Sequence, residues 1–287
     1  MLRFSLRFGI TFLALVAGAA HAGCDNPPAD ADLMRTVAMS DVVAEGSIAL
    51  SPDQLAALHG KDAWTDLPFA VARMLKGPAA DTVNIRFYPM TEQAPTLSDV
   101  ELAAGHRVIV YLHRLSVAGP EGLYFAAGED SLKPAPEALV TGAEIARQDA
   151  VLKAWKTDSG LPHFAEVKAL LDRLTAIAHD DKDAADKQQA VFAELEALGA
   201  GAVPAMIAQM DDRRPLAFAQ MSLRNPPGAA EAVRYYRPGT VVEALDAVLN
   251  QITGEFGTIY NGGSDAERDS AVAAWRVYAH DRACGAA

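Results

Sequence analysis

Past its first 22 residues the chain has no apolar run approaching the roughly 20 residues that a membrane helix needs, so no helical span is expected in the mature protein. Positive charge is also scarce: Lys and Arg number 25 against 37 Asp and Glu, a net charge of −12. A chain of that sign repels phosphate backbones and anionic headgroups, which argues against nucleic acid or a charged membrane as a general partner. Cysteine is nearly absent, with two residues, Cys24 and Cys284, in 287. The local signatures of chemistry are missing as well. No G-x-S-x-G marks a nucleophile elbow. Apart from His21, the histidines His59, His106, His113, His163, His179 and His280 include no pair three to five residues apart. His179-Asp180-Asp181-Lys182-Asp183 has oxygen ligands but lacks the glycine and terminal glutamate of a calcium loop, and reads as a solvated turn between helices. No catalytic residue, metal ligand or cofactor site is therefore assigned.

What is present begins with residues 1–22. Arg3 and Arg7 form a basic head, Gly9–Ala20 an apolar centre, and Ala20-His21-Ala22 puts small residues at −3 and −1 of a cleavage site. This is the pattern of a secretory signal peptide, here short and alanine-rich in the bacterial manner. Cleavage after Ala22 removes 22 of the 287 residues and leaves 265, with 23 basic and 37 acidic side chains, net −14. The expected location is the periplasm or the extracellular space. Two fates compete for Cys24. In an oxidising compartment it pairs with Cys284, closing nearly the whole chain into a loop. Alternatively, Ala22-Gly23-Cys24 matches the end of a bacterial lipobox, with His21 standing where that motif takes an aliphatic residue; Cys24 would then carry a lipid anchor.

The pattern of the mature chain changes near residue 135. Before it come five predicted strands: Asp41–Ile48, Leu67–Leu75, the alternating Val83, Ile85 and Phe87, His106–Leu112, and Gly122–Ala127. Turn signals at Lys76-Gly77-Pro78 and Ala118-Gly119-Pro120 separate some of them. Five such strands with one apolar interior suggest a small, partly open antiparallel barrel. After the breaker Lys133–Pro136 the period becomes 3.6, first at Ala143–Lys156. Single apolar stripes follow at Phe164–Ile177, Val191–Leu198, Val203–Met210, Val241–Ile252 and Val272–Ala279. None of these helices can bury its stripe alone, so they must stack.

Two resemblances accompany these patterns. Ser40–Ile48, Phe69–Pro78, Asp81–Ile85 and Ala104–Tyr111, in that order, resemble the netrin/TIMP-like OB-fold module. The resemblance implies metalloproteinase inhibition only where a cysteine is the first mature residue, and here Gly23 precedes Cys24. Leu195–Gly199 followed by Ala202-Val203-Pro204-Ala205-Met206-Ile207 resembles a HEAT-like repeat, with Pro204 in the first helical turn, where its missing N–H is not needed. The expected architecture is α+β: a five-stranded OB-like barrel at 23–135, a helix and linker at 136–162, and a HEAT-like region at 163–287.

One local anomaly stands out. Between Arg213 and Arg237, five arginines (Arg213, Arg214, Arg224, Arg234, Arg237) face a single Glu231, net +4 in 25 residues. Tyr235 and Tyr236 sit among them, and Asn225-Pro226-Pro227-Gly228 breaks the helical period. Arg and Tyr are the commonest binding hot spots. These seven residues are the candidate docking face for an envelope or secreted protein with an acidic surface, unless the arginines merely bridge helices through the surplus carboxylates. The glycine-rich Gly254–Gly263 lacks the lysine of a phosphate loop, and Phe256 and Tyr260 are expected to pin it to the core. The expected function is non-catalytic binding or scaffolding. The alternatives are a hydrolase with a site assembled from scattered residues, signalled by acids, histidine or serine in a pocket between barrel and helices, or an envelope lipoprotein.

Overall fold

The computed structural model describes Cys24 and residues 30–92, 95–114, 123–127, 131–225, 233–256 and 263–285. The expected signal segment 1–22, the expected turn at Gly119-Pro120, Pro226-Pro227-Gly228 and Tyr260 lie outside these residues. The β-branched and alternating segments form β1 (Val42–Ile48), β2 (Thr65–Lys76), β3 (Thr82–Phe87), β4 (Val108–Arg114) and β5 (Leu123–Ala126). They pair in the order β1-β2-β3-β5-β4, and β4 returns to β1, so the sheet closes and hides its edges. All these pairings are antiparallel except β3 with β5, which is parallel. The short β6 (Leu132–Pro134) pairs with Val108–Val110 of β4, while β5 pairs with Leu112–Arg114. Gly46 is required where β1 bulges against β2, since a Cβ there would lie 2.0 Å from the Ala70 carbonyl oxygen.

Phe69, Val83, Ile85, Val110 and Leu112 fill the barrel. Helix α2 (Pro52–Ala56) follows β1, and α3 (Leu97–Ala103), begun by a Thr96–Asp99 capping box, lies between β3 and β4. The opposite faces of β1 and β4 are also apolar, because Val43, Ile109 and Tyr111 pack outward against α1 (Ala31–Met39) and α4 (Ala138–Ala154). That second buried face explains why His106–Leu112 reads as apolar on both sides.

Lys133 and Pro134 of the breaker belong to β6, and Ala135–Glu137 make one 3₁₀ turn into α4. Then come α5 (Phe164–Thr175), α6 (Ala184–Ala197), α7 (Val203–Ile207), α8 (Val241–Thr253) and α9 (Asp265–Ala283). Their stripes share one core around Leu171, Phe192, Met206, Leu245 and Trp275. The 3.6 period is not continuous: β7 (Met221–Arg224) and β8 (Val233–Tyr236) form an antiparallel hairpin within the helical half. Helix α1, although it precedes the barrel, packs on α4 and α9 and so joins the two halves. Cys24 and Cys284 are disulfide-bonded, with Cα atoms 5.3 Å apart. Among the described residues no single helix is long and apolar enough to cross a membrane.

Candidate functional site

The arginine-rich segment divides in two. Its first part, before the hairpin, is absorbed into the fold. Arg213 donates to Asp269 at 2.7 Å, and Arg214 donates to Asp212 and, at 3.0 Å, to Asp172. The hydrogen bond to Asp212 raises the Arg214 pKa most, and Lys168 together with Arg214 holds Asp172 below the ordinary carboxylate value. These two arginines bridge helices.

The second part lies on the hairpin. Met221 and Leu223 of β7 and Tyr236 of β8 share one face and are buried in the helical core, so Tyr236 is a packing residue and not part of an exposed face. Tyr235 points the other way and is 75% exposed. Arg224, Arg234 and Arg237 are exposed, and no ion pair holds any of them among the described residues. Arg224 feels the charge of Glu196, whose own pKa is raised by burial and partly lowered again by Arg224. Ala219, Gln220, Tyr235 and Arg237 border an open groove beside the hairpin.

Side-chain amides of the helices hold the hairpin in place. Gln188 of α6 donates to the Phe218 and Gln220 carbonyls and accepts from Phe218 N–H. Gln189 does the same for a strand: it donates to Ser222 O at 2.6 Å and accepts from Ser222 N–H at 2.9 Å. Gln251 of α8 donates to Arg224 O. Nothing in the sequence pattern marked these glutamines, because an amide that mimics a neighbouring strand has no periodic signature.

Between barrel and helices lies a crevice of about 350 Å³ bordered by Asp41, Lys76, Asp149 and Ser270. Its position is the one expected for the enzymatic alternative. Asp41 accepts from the Ser270 hydroxyl and, at 2.6 Å, from Arg114 N–H, so its carboxylate is occupied. Lys76 donates to the Val37 carbonyl at 2.8 Å, capping the last turn of α1. Burial lowers the Lys76 pKa, against the pull of Asp41 and Asp149. His113, whose pKa is also lowered by burial, bonds neither Ser270 nor Asp41 among the described residues. Among the described residues the Ser270 hydroxyl donates to Asp41 and contacts no histidine or lysine, so no Ser-His pair is formed in the crevice.

A third charged cluster is buried between α4 and α9. Arg147 donates to Glu144 and to Asp281 through bonds of 2.7 to 2.9 Å, and these three side chains are 6%, 3% and 1% exposed. Burial penalises the guanidinium, but both carboxylates more than restore it and leave its pKa above the ordinary value. Gln148 donates to Glu144 and to the Met34 carbonyl, tying α1 into the same seam. The remaining sequence candidates are structural. His179 stacks on Phe218 at 4.5 Å in the turn between α5 and α6, and Phe256 meets Trp275 edge-on at 4.9 Å. Among the described residues no group of three or more His, Cys, Asp or Glu could hold a metal ion. The chain has no significant match among family models, curated proteins or solved structures.

Proposed function

We propose that this protein is a non-catalytic binding or scaffolding module, secreted or periplasmic, that docks an acidic partner protein through the β7–β8 hairpin. The observation that carries the reading is the exposure of Arg224, Arg234, Arg237 and Tyr235, with no ion pair to any of the three arginines among the described residues, in a chain where acids outnumber bases 37 to 25. Arginines left unpaired amid surplus carboxylates keep their hydrogen-bonding capacity for another molecule. Arg213 and Arg214 lie outside this face because they are already paired.

The same reading takes the first half as a netrin/TIMP-like module and the second as a degenerate HEAT-like stack. Strand order and the helix between β3 and β4 support the first. The second draws support from α6, which turns through 94° at Gly199 into the Pro204-started α7. Neither resemblance supplies a partner, since a fold class hosts many functions.

The test is crosslinking capture from the periplasm with the wild type and with a folded R224E/R234E/R237E variant. A specific protein recovered by the wild type and lost with the variant is the expected result. Capture of the same protein by both would remove the hairpin as the docking face.

A further inference from the structure

We infer that the hairpin binds its partner by strand addition: the outer edge of β8 takes an extended acidic segment of the partner as a third strand. This rests on the reading just given and specifies how that face works. The geometry comes from β7. Ser222 N–H and C=O both bond Gln189, and Arg224 O bonds Gln251, so these groups point away from β8 toward the helices. In an antiparallel pair, residues directly opposite one another direct their main-chain groups either both inward or both outward. Ser222 stands opposite Tyr235. Tyr235 N–H and C=O therefore point outward from the free side of β8, and no partner bonds either group among the described residues. One edge of the hairpin is sealed by glutamine side chains, and among the described residues the other is open.

An open edge is a template for another strand, and proteins ordinarily guard it with charge. Here the charge is of one sign. Arg234 and Arg237 flank Tyr235 along the edge, and Arg224 lies on the neighbouring strand. Two copies of this edge would bring arginines against arginines, so self-pairing is disfavoured. An extended segment with alternate Glu or Asp would carry its carboxylates on one face of the added strand, toward Arg234 on one side of the hairpin or toward Arg224 on the other, while its main chain satisfies Tyr235. Main-chain bonds supply the affinity of such complexes and side chains the selectivity.

The probe is a short fluorescein-labelled peptide alternating Glu and Val. Its control alternates Glu and Pro, which keeps the charge but removes the ladder donors at the proline positions. The full-length protein should bind the Glu-Val peptide at least about tenfold more tightly than the Glu-Pro peptide, from the hydrogen bonds lost. Hydrogen exchange at the Tyr235 amide should slow when the first peptide binds. Y235P should abolish the preference, and because this variant could disturb the hairpin, amide exchange in the wild type is the deciding measurement. Equal affinities, binding without protection of Tyr235, or no binding of either peptide would each overturn strand addition. If arginine-dependent partner capture persists alongside any of these, the docking face stands and only the strand mode falls. If capture ignores the arginines, the docking face itself is wrong.

Discussion

The seam between α4 and α9 and the β7–β8 hairpin use arginine in opposite ways. In the seam, Arg147 is buried between two carboxylates and a glutamine reinforces one of them. On the hairpin, Arg234 and Arg237 are exposed, with no carboxylate in contact among the described residues. Both arrangements occur in a chain with a surplus of acids, so scarcity of partners does not explain the difference. A paired, buried arginine reports on how helices are held in register. An unpaired one on a surface keeps its hydrogen-bonding capacity for solvent or, as proposed, for a partner.

The strongest way to break this contrast is to loosen the seam and ask whether the hairpin notices. The Cys24–Cys284 bond, with a sequence separation of 260, fastens the end of α9. Chain entropy for a loop of that size is worth roughly 5 kcal/mol. C24A/C284A should therefore lower the urea midpoint markedly while leaving Glu-Val peptide binding unchanged well below the new midpoint. An intact mass under non-reducing conditions checks the premise, because a lipid added at Cys24 would occupy the sulfur that the bond needs.

Arg147 comes next. R147M removes the cation between the buried Glu144 and Asp281, leaving them only Gln148 and His280, and breaking a buried pair costs about 3–5 kcal/mol. Replacing Glu144, Arg147 and Asp281 together with apolar residues of similar volume should restore most of that loss. Urea unfolding of the single and triple variants tests both statements. A single variant as stable as the wild type would show that the seam's charges are no more structural than those of the hairpin.

Lys76 offers a smaller, pH-dependent version of the same test. Its folded pKa is lowered from 10.5 by burial, so the folded state sheds its proton before the unfolded state does. Stability then rises with pH between the lowered pKa and 10.5, as the cost of the buried charge is relieved. K76M lacks the titration. The stability of the wild type relative to K76M should increase as the pH is raised through that window, and a difference independent of pH would contradict burial as the cause.

How much of this was legible beforehand depends on the physics of each element. The strands were visible because a barrel interior imposes period two on Val83, Ile85 and Phe87, and the long helices because a shared core imposes 3.6 on α5 and α8. Helix α1 has no sequence signal of its own; ADLMRTVAM is short and its packing depends on partners more than 100 residues away. The hairpin was missed because four-residue strands such as MSLR carry too few alternations to show a period. For the site, net charge singled out the segment, but only tertiary contacts could separate Arg213 and Arg214, held by Asp269 and Asp172, from Arg224, Arg234 and Arg237. Tyr235 and Tyr236 are adjacent and chemically identical; strand alternation buries one and exposes the other.

The smallest expected effect is the most discriminating. Surface substitutions that break no contact change stability by no more than about 0.5 kcal/mol each. R224Q, R234E and R237E should therefore each stay near that limit in urea unfolding, in contrast with R147M. Arg224 carries one added signature. It partly offsets the burial that raises the Glu196 pKa, so R224Q should move that pKa still higher, measurable by carboxyl-carbon NMR titration. The direction matters because a glutamate that titrated unchanged in R224Q would mean that Arg224 already serves a group other than Glu196. A hairpin variant as unstable as R147M would place its arginine among the structural ones and remove it from the docking face. If all three variants keep their stability and lose the acidic peptide, their cost falls on binding alone, which is what separates a face made for a partner from a seam made for the fold.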